Sequence, residues 1–436
     1  MYKPIGLFRP KILILFLLLT LTLLGCEKEK KDIINETISN HLVEANQEAL
    51  NQVVSNQVTI SPENPTNARN QTLLDDLTNL NQNDPNLREA AIEPENQVTL
   101  LAVGDNLVHE QVIQSGSKED GSYNYDHLFL QLKDEFTNSD ISIINQETIL
   151  GGDLFPYSGY PVFNSPLEIG DAIAKAGFDV VLHATNHTMD RGEKAVFRTL
   201  EFWESYPDIV PIGINKTKED RESIPIVTKN GIRIAMLNYT YGLNGYTLPK
   251  DKPYLVNMLT DKEQLKKDIK KAKELADFVI VFPHWGTEYV HEPDKNQIYW
   301  TTLFAELEVD LVIGTHPHVV EPIEWITSKS GHKMLVYYSL GNYISYQKEA
   351  PRMLGGMAKI ILSKEEGKVI IKDASITPIV THYEKEPKFS YGVYKLSDYT
   401  LEQSLRHGVI DLQKNSDFTL DGTRALAYNI LGDWME

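Results

Sequence analysis

The sequence predicts an α/β protein in which two β-sheets pack together and carry helices on the outside. Three observations predict it. From Gln97 onward, short apolar runs alternate with amphipathic helical stretches. Five segments end in polar tips whose residue types hold metals: GDN at 104–106, NQE at 145–147, TNH at 185–187, PHWG at 283–286 and THPH at 315–318. Two further apolar runs, Gly231–Tyr239 and Lys333–Tyr338, stand between the regular units and supply strands for a second sheet. In such sheets functional groups gather beyond the carboxyl ends of the strands, so tips scattered along the chain can converge.

The first residues read as a targeting signal. Lys3, Arg9 and Lys11 form a positive head, and Ile12–Leu24 is an apolar run shorter than the roughly 20 residues of an ordinary membrane span. The run ends at Leu-Leu-Gly-Cys, with Cys26 the only cysteine of the chain, and resembles a bacterial lipoprotein signal. That resemblance implies a lipidated Cys26 and an extracytoplasmic protein anchored to the cell membrane; an uncleaved anchor with an incidental cysteine is the alternative. Loss of residues 1–25 removes three positive charges and takes the net charge from -19 to -22. An acidic chain of this kind repels polyanions at long range, which argues against nucleic acid and bulk anionic lipid as partners.

Glu27–Asn96 is rich in Asn, Gln and Glu and has no aromatic residue. It cannot bury enough apolar surface to offset the entropy of ordering, and reads as a tether with a weak helix around Ile38–Val54 or as a segment that orders on a partner. The expected organisation is therefore a signal over 1–26, a tether over 27–96, a folded domain over 97–382, and a helical extension over 383–436 packed on that domain.

Within the domain, Val98–Val103 is a buried strand leading into GDN. A helix around His127–Phe136 precedes the strand Ile141–Ile144 and NQE. Leu167–Ala176 reads as a helix and Phe178–Leu182 as a strand. Lys262–Ala276 is a lysine-rich helix before the strand Phe278–Phe282, and Asn296–Leu307 a helix before Leu311–Ile313. Leu265, Ile269 and Leu275 give the lysine-rich helix an apolar stripe, so its charges read as a solvated face. Lys368–Asp373 and Ser375–Tyr383 read as a hairpin, followed by helices at Leu401–His407 and Thr423–Leu431. His382 and His407 have no ligand-type neighbours in sequence and read as ordinary histidines.

The chemistry of the tips is that of a di-metal centre, which needs a bridging carboxylate, neutral imidazoles and often an amide oxygen. Asp105, Glu147, Asn186, His284, His316 and His318 supply this mixture. Two divalent cations (Mn, Fe, Zn or Mg) about 3.5–4 Å apart lower the pKa of a bound water and neutralise charge in a phosphoryl or acyl transition state. His187 is then free to donate a proton or stabilise an oxyanion. Each element also has a plain reading. GDN alone is a common helix N-cap, His284 suits a buried backbone-bonded histidine, and only the alternation of His316 and His318 directly argues a shared face. Glu288 is either a carboxylate orienting an imidazole or a surface residue. Asp190 either orients His187 or, the preferred reading, caps the following helix. Ser339 and Asn342, in SLGN, either contact substrate or form a structural turn.

Taken together, VGDN, NQET, TNHTMDRG, PHWGTEY, GTHPHVVEPIE and YYSLGNYI resemble the CapA family of poly-γ-glutamate capsule synthesis proteins, over about Val98–Ile379. The resemblance implies a sandwich like that of the calcineurin-like metallophosphoesterases. Carried over residue by residue, it makes Asp105 the first carboxylate ligand and Glu147 the bridge. Asn186 becomes the amide ligand and His187 the catalytic histidine; His284 and His316 complete one metal shell and His318 the other. The chain departs from the phosphoesterase pattern at Leu107, where a histidine is usual, and at Glu147, where aspartate is usual; Gln146 stands where relatives carry leucine. Two functions follow as expectations. One is a surface enzyme acting on a phosphorylated, peptide-like or γ-glutamyl substrate in capsule or envelope polymer production. The other is a non-catalytic lipoprotein that binds anionic polymer or braces a membrane synthase or export complex. No GxxxxGK[ST] loop is present, which argues against an ATP-driven ligase.

Overall fold

The computed structural model describes residues 96–412 and 418–436. The expected signal with Cys26, the tether apart from Asn96, and the weak helix within it lie outside the described residues. The described chain belongs to one unit, Glu93–Glu436. Its strands are β1 (Gln97–Asn106), β2 (Ile141–Asn145), β3 (Val180–Leu182), β4 (Val210–Ile212), β5 (Ile226–Lys229), β6 (Ile232–Thr240) and β7 (Phe278–His284). They continue with β8 (Leu311–Ile313), β9 (Ile323–Thr327), β10 (Lys333–Tyr337), β11 (Asn342–Ile344), β12 (Leu354–Glu365), β13 (Lys368–Glu384) and β14 (Ser390–Lys395).

Two sheets result, as the sequence predicts. One runs β14-β13-β12-β1-β2-β3-β4, with β11 added beside the end of β1; the other runs β5-β6-β7-β8-β10-β9. Strands β1 to β4 are mutually parallel in the first, and β6, β7, β8 and β10 in the second. Buried parallel strands read as continuous apolar runs because both faces are covered, which is why VTLLAV and FVIVF were legible. Alternation along β6 shows the layering. Ile234 and Met236 join a core that also holds Leu100, Ile143 and Val181 of the first sheet. Ala235 and Leu237 face the other way, against Leu265, Ile269 and Ala272 of the helix Lys262–Leu275 and Phe304 of the helix Lys295–Glu306.

Four readings need correction. The stripe of the lysine-rich helix is completed by buried Ala272, while Leu275, in its last turn, is 40% exposed. Lys368–Tyr383 is one strand rather than a hairpin: β13 runs through Ala374 and pairs with β12 across the Glu366–Gly367 turn, where both residues take positive φ (49° and 81°). The extension expected to be helical from 383 begins inside β13 and contains β14, which pairs with β13 from Ile379–Lys395 to Glu384–Ser390. The expected helix His127–Phe136 is two 3-10 turns followed by the short helix Lys133–Asn138.

One polar residue ties the two sheets together at their carboxyl ends. Asn238 of β6 accepts from the backbone N–H groups of His183 (3.1 Å) and Ala184 (2.7 Å) just past β3, and its Nδ2 donates to Phe282 O of β7 (2.9 Å). A buried amide satisfied on both sides fixes the register of the two sheets where the tips meet.

Candidate metal centre

All five tips lie at the carboxyl ends of parallel strands, and the side chains singled out for metal binding meet there. Glu147, 1% exposed, is the common member. Its Oε1 is 3.6 Å from His284 Nε2 and its Oε2 is 3.7 Å from His318 Nδ1. Neither oxygen has a hydrogen-bond partner among the described residues. The ligand atoms of Glu147, His284 and His316 lie within 4.8 Å of one another, as do those of Asp105, Glu147 and His318. Glu288, on the exposed side, forms a third such group with His316 and His318.

The imidazole nitrogens of the site face oxygen atoms of neighbouring side chains. His284 Nδ1 meets Thr315 Oγ1 at 3.0 Å, and its Nε2 lies 2.9 Å from Asn186 Oδ1 as well as near Glu147 Oε1. His318 Nδ1 is 3.0 Å from Asp105 Oδ2 and 3.1 Å from Asn342 Oδ1. Acceptors converging on one nitrogen demand a proton or a cation between them. His318 shows the pull in its titration. Burial works against its charge, but Glu147, the hydrogen bond and charge of Asp105, and Glu288 together raise its pKa to about 9. His316 goes the other way: burial, then the neighbouring His284, His318 and His187, hold it well below the ordinary value.

Neighbouring groups fix the ligands in place. Asp105 is held by Asn145 Nδ2 (2.8 Å) and by the His316 backbone N–H (3.2 and 3.3 Å to its two oxygens). Thr185 Oγ1 donates to Glu147 O at 2.7 Å and ties the third tip to the second. Asn106 Nδ2 donates to Gln146 Oε1 at 2.6 Å, and Gln146 Nε2 to Thr148 O at 2.7 Å, so Gln146 bolts the first two tips together. His316, His318 and Tyr289 all take positive φ (102°, 59° and 68°). Such backbone costs about 1–3 kcal/mol per residue and persists only where the surroundings impose it, as functional sites do.

His187 sits beside this set, 6% exposed, with Nδ1 2.8 Å from Asp190 Oδ2. Asp190 also accepts from Phe163 N at 2.7 Å, while the cap position of the helix Gly192–Trp203 is Arg191 and makes no side-chain cap bond. Asp190 therefore orients His187 and is not the cap; the spacing of three residues suited both roles and gave no means to choose. With Nδ1 turned to the carboxylate, Nε2 is the ring nitrogen not engaged by Asp190. Phe163 meets His187 edge-on at 4.6 Å and His109 at 5.4 Å. His109 is no member of a metal group among the described residues, yet burial and the proximity of His318 and His187 bring it down to about 4. Leu107 is buried, 3% exposed.

Ser339 and Asn342 divide. Ser339 Oγ donates to Val319 O (2.8 Å) and accepts from Gly341 N (3.1 Å), which makes it a turn residue. Asn342 supports His318, its Nδ2 donating to His318 O (3.1 Å) and Arg352 O (3.0 Å). His382 and His407 are buried elsewhere, bonded to Tyr399 and Thr381 O. Sequence reasoning missed Asn145, Thr315 and Asn238. Asn145 and Thr315 lie inside quoted motifs, and a strand-end position was the available signal.

A family model described as bacterial capsule synthesis protein PGA_cap matches residues 99–347. Capsule biosynthesis protein CapA of Bacillus anthracis is 29% identical over 257 residues, 57% of this chain and 60% of that protein. PGA biosynthesis protein CapA of Bacillus subtilis (strain 168) is 34% identical over 169 residues, 38% of this chain and 42% of that protein. The matches thus span less than two thirds of either relative. Among solved structures, calcineurin-like phosphoesterase YfkN from Bacillus subtilis gives a TM-score of 0.34 at 13% identity, over 77% of this chain and 97% of that one. A putative 5'-nucleotidase from Staphylococcus aureus gives 0.41 at 15% identity, over 65% and 54%. These scores are too low to carry a conclusion. The family match, which takes in the greater part of the chain and all five tips, is decisive: the chain belongs to the bacterial capsule synthesis protein family PGA_cap.

Proposed function

We propose that this chain serves capsule or envelope polymer synthesis outside the cytoplasmic membrane, through a hydrolase-type centre for two divalent cations. The observation that carries the reading is the carboxylate of Glu147. A buried carboxylate whose two oxygens make no hydrogen bond among the described residues is costly unless a cation meets it, and each of its oxygens faces a different imidazole group. The donor set fits: Glu147, His284, His316 and Asn186 on one side, and Asp105, Glu147 and His318 on the other. Two cations held there supply Lewis acidity and an acidified water for phosphoryl or acyl transfer. Asp190 and Phe163 set the His187 ring so that Nε2 can give or take a proton, which suits cleavage of a phosphoester or a γ-glutamyl bond. Manganese-loaded protein should hydrolyse an aryl phosphodiester or a γ-glutamyl anilide, with turnover lost in His187→Ala.

One observation favours a second reading. Leu107 occupies the place of a histidine in the phosphoesterase pattern and is packed away from solvent. Cations bound without turnover on either substrate class would make the chain an accessory that holds anionic polymer for a synthase or export complex.

Anchoring through Cys26 is part of the same proposal, supported by the basic head and the Gly25-Cys26 junction. No helix among the described residues is long and apolar enough to cross a membrane. Cys26→Ser should move the protein from the detergent phase to the aqueous phase in a Triton X-114 partition; unchanged partition and migration would remove the lipoprotein reading.

A further inference from the structure

The wall of the centre next to His318 ends in an aromatic ring that carries an arginine. Tyr289, 41% exposed, has its ring centre 5.9 Å from that of His318. Its backbone N–H donates to Pro317 O, between the two histidines, at 2.7 Å. Arg352 comes from the 3-10 turn Ala350–Met353 that leads into β12, and its Cζ lies 3.4 Å from the centre of the Tyr289 ring. The same residue's carbonyl accepts from Asn342, whose Oδ1 meets His318 Nδ1 at 3.1 Å. Position and charge are thus tied to the ligand loop from two directions.

The guanidinium is incompletely used. Among the described residues its acidic partner is Glu349, at 2.6 Å, and Glu349 is 51% exposed. An ion pair open to solvent on one side is weak, and five N–H donors leave most of the fork free. The side chain itself is 20% exposed, so it is held rather than waving in solvent. Stacking on a tyrosine removes rotamer freedom in advance, which lowers the entropic cost of binding a ligand.

The surroundings need such a group. Asp105, Glu147 and Glu288 concentrate negative charge at the centre of a chain whose net charge is already -19. An anionic substrate approaching this face meets repulsion unless cations and a fixed positive side chain offset it. Arginine's planar fork matches two oxygens of a phosphoryl or carboxylate group, which lysine does not.

We propose that Arg352, stacked on Tyr289, determines specificity by binding an oxyanion of the substrate, phosphoryl or carboxylate, at the rim of the metal centre. The proposal rests on the hydrolase-type reading of that centre and names the substrate class it admits.

The test uses the full chain in detergent, titrated calorimetrically with inorganic phosphate and separately with glutarate, in manganese-loaded and chelator-treated forms. Arg352→Met should bind manganese as the wild type does and lose about tenfold in affinity for at least one of the two anions, with a shallower salt dependence. Loss confined to phosphate assigns a phosphoryl group; loss confined to glutarate assigns a carboxylate. Arg352→Lys should recover only part of the loss. Glu349→Gln, which frees the guanidinium, should bind the anion more tightly than the wild type. A purely structural role predicts none of the salt effect and no gain from Glu349→Gln. Unchanged anion affinity in Arg352→Met, an equal loss of manganese in that variant, or no anion binding by the wild type would each overturn the proposal. Arg352-dependent anion binding in a wild type that takes up no manganese would support it and overturn the metal reading alone.

Discussion

Glu147→Ala is expected to abolish uptake of divalent cations while the fold survives, and His187→Ala to keep the cations and lose only turnover. The contrast follows from geometry. Glu147 offers one oxygen to the His284 side and the other to the His318 side, so its loss empties both ligand groups at once. His187 is committed through Nδ1 to Asp190 and belongs to neither metal group. A lost bridging ligand should weaken cation binding by about 100-fold or more, beyond the 10- to 100-fold typical of residues that only support a ligand. In chelator-treated protein, Glu147→Ala relieves two buried oxygens that make no hydrogen bond among the described residues but also removes the carboxylate's attraction for His318, so the two effects oppose and the melt should move little. Metal analysis with thermal melts, in the presence and absence of chelator, reads both effects. Equal metal content in wild type and Glu147→Ala, or a chelated Glu147→Ala that melts well below chelated wild type, would contradict this account of the carboxylate.

Gly104→Ala should be the most damaging small substitution near the site. A Cβ at Gly104 would stand 1.9 Å from Gly341 O and 3.0 Å from Gly341 C. Both contacts are backbone, so no rotamer change relieves them. The contact exists because β11 pairs with β1 there: Asp105 N donates to Gly341 O at 2.9 Å, and Asp105 aligns with Asn342. The glycines of VGDN and SLGN are thus two halves of one close approach that sets Asp105 and Asn342 on either side of His318. Overpacking commonly costs about 1–3 kcal/mol, and a clash against backbone belongs at or above the top of that range. Calorimetric melting should show a drop of several degrees with weakened cation binding. Gly242→Ala, where a Cβ meets nothing within 4 Å, should change little. A Gly104→Ala protein that melts like Gly242→Ala would show that the two loops do not pack as described.

Much of this was legible in the chain because buried parallel strands advertise themselves. VTLLAV, ISII, FVIVF and LVI are apolar but for Thr99 and Ser142, and a polar residue stands within two positions of each run's carboxyl end. The ligand types at those edges could be read for the same reason. What was not legible was pairing across long separations. The YGVY run of β14 is short and has meaning only against β13. β13 itself was split at Ala374 because Asp373 and Ser375 look like a turn, whereas its length is dictated by β12. The partners of the ligands are short polar side chains whose choice of bond is tertiary: Asn145 reaches Asp105 across 40 positions, Asn238 reaches Ala184 across 54. Asp190 had two locally equivalent roles, and the one taken was decided by Phe163 N, 27 positions away.

The central claim is that one buried glutamate joins two cation positions, and low-temperature electron paramagnetic resonance of manganese-titrated protein tests it most directly. Two Mn2+ ions sharing Glu147 lie close enough to be exchange-coupled. The account predicts a coupled spectrum that grows toward two equivalents and vanishes in Glu147→Ala. A spectrum of isolated Mn2+ saturating at one equivalent, or one showing only free ion, would contradict it.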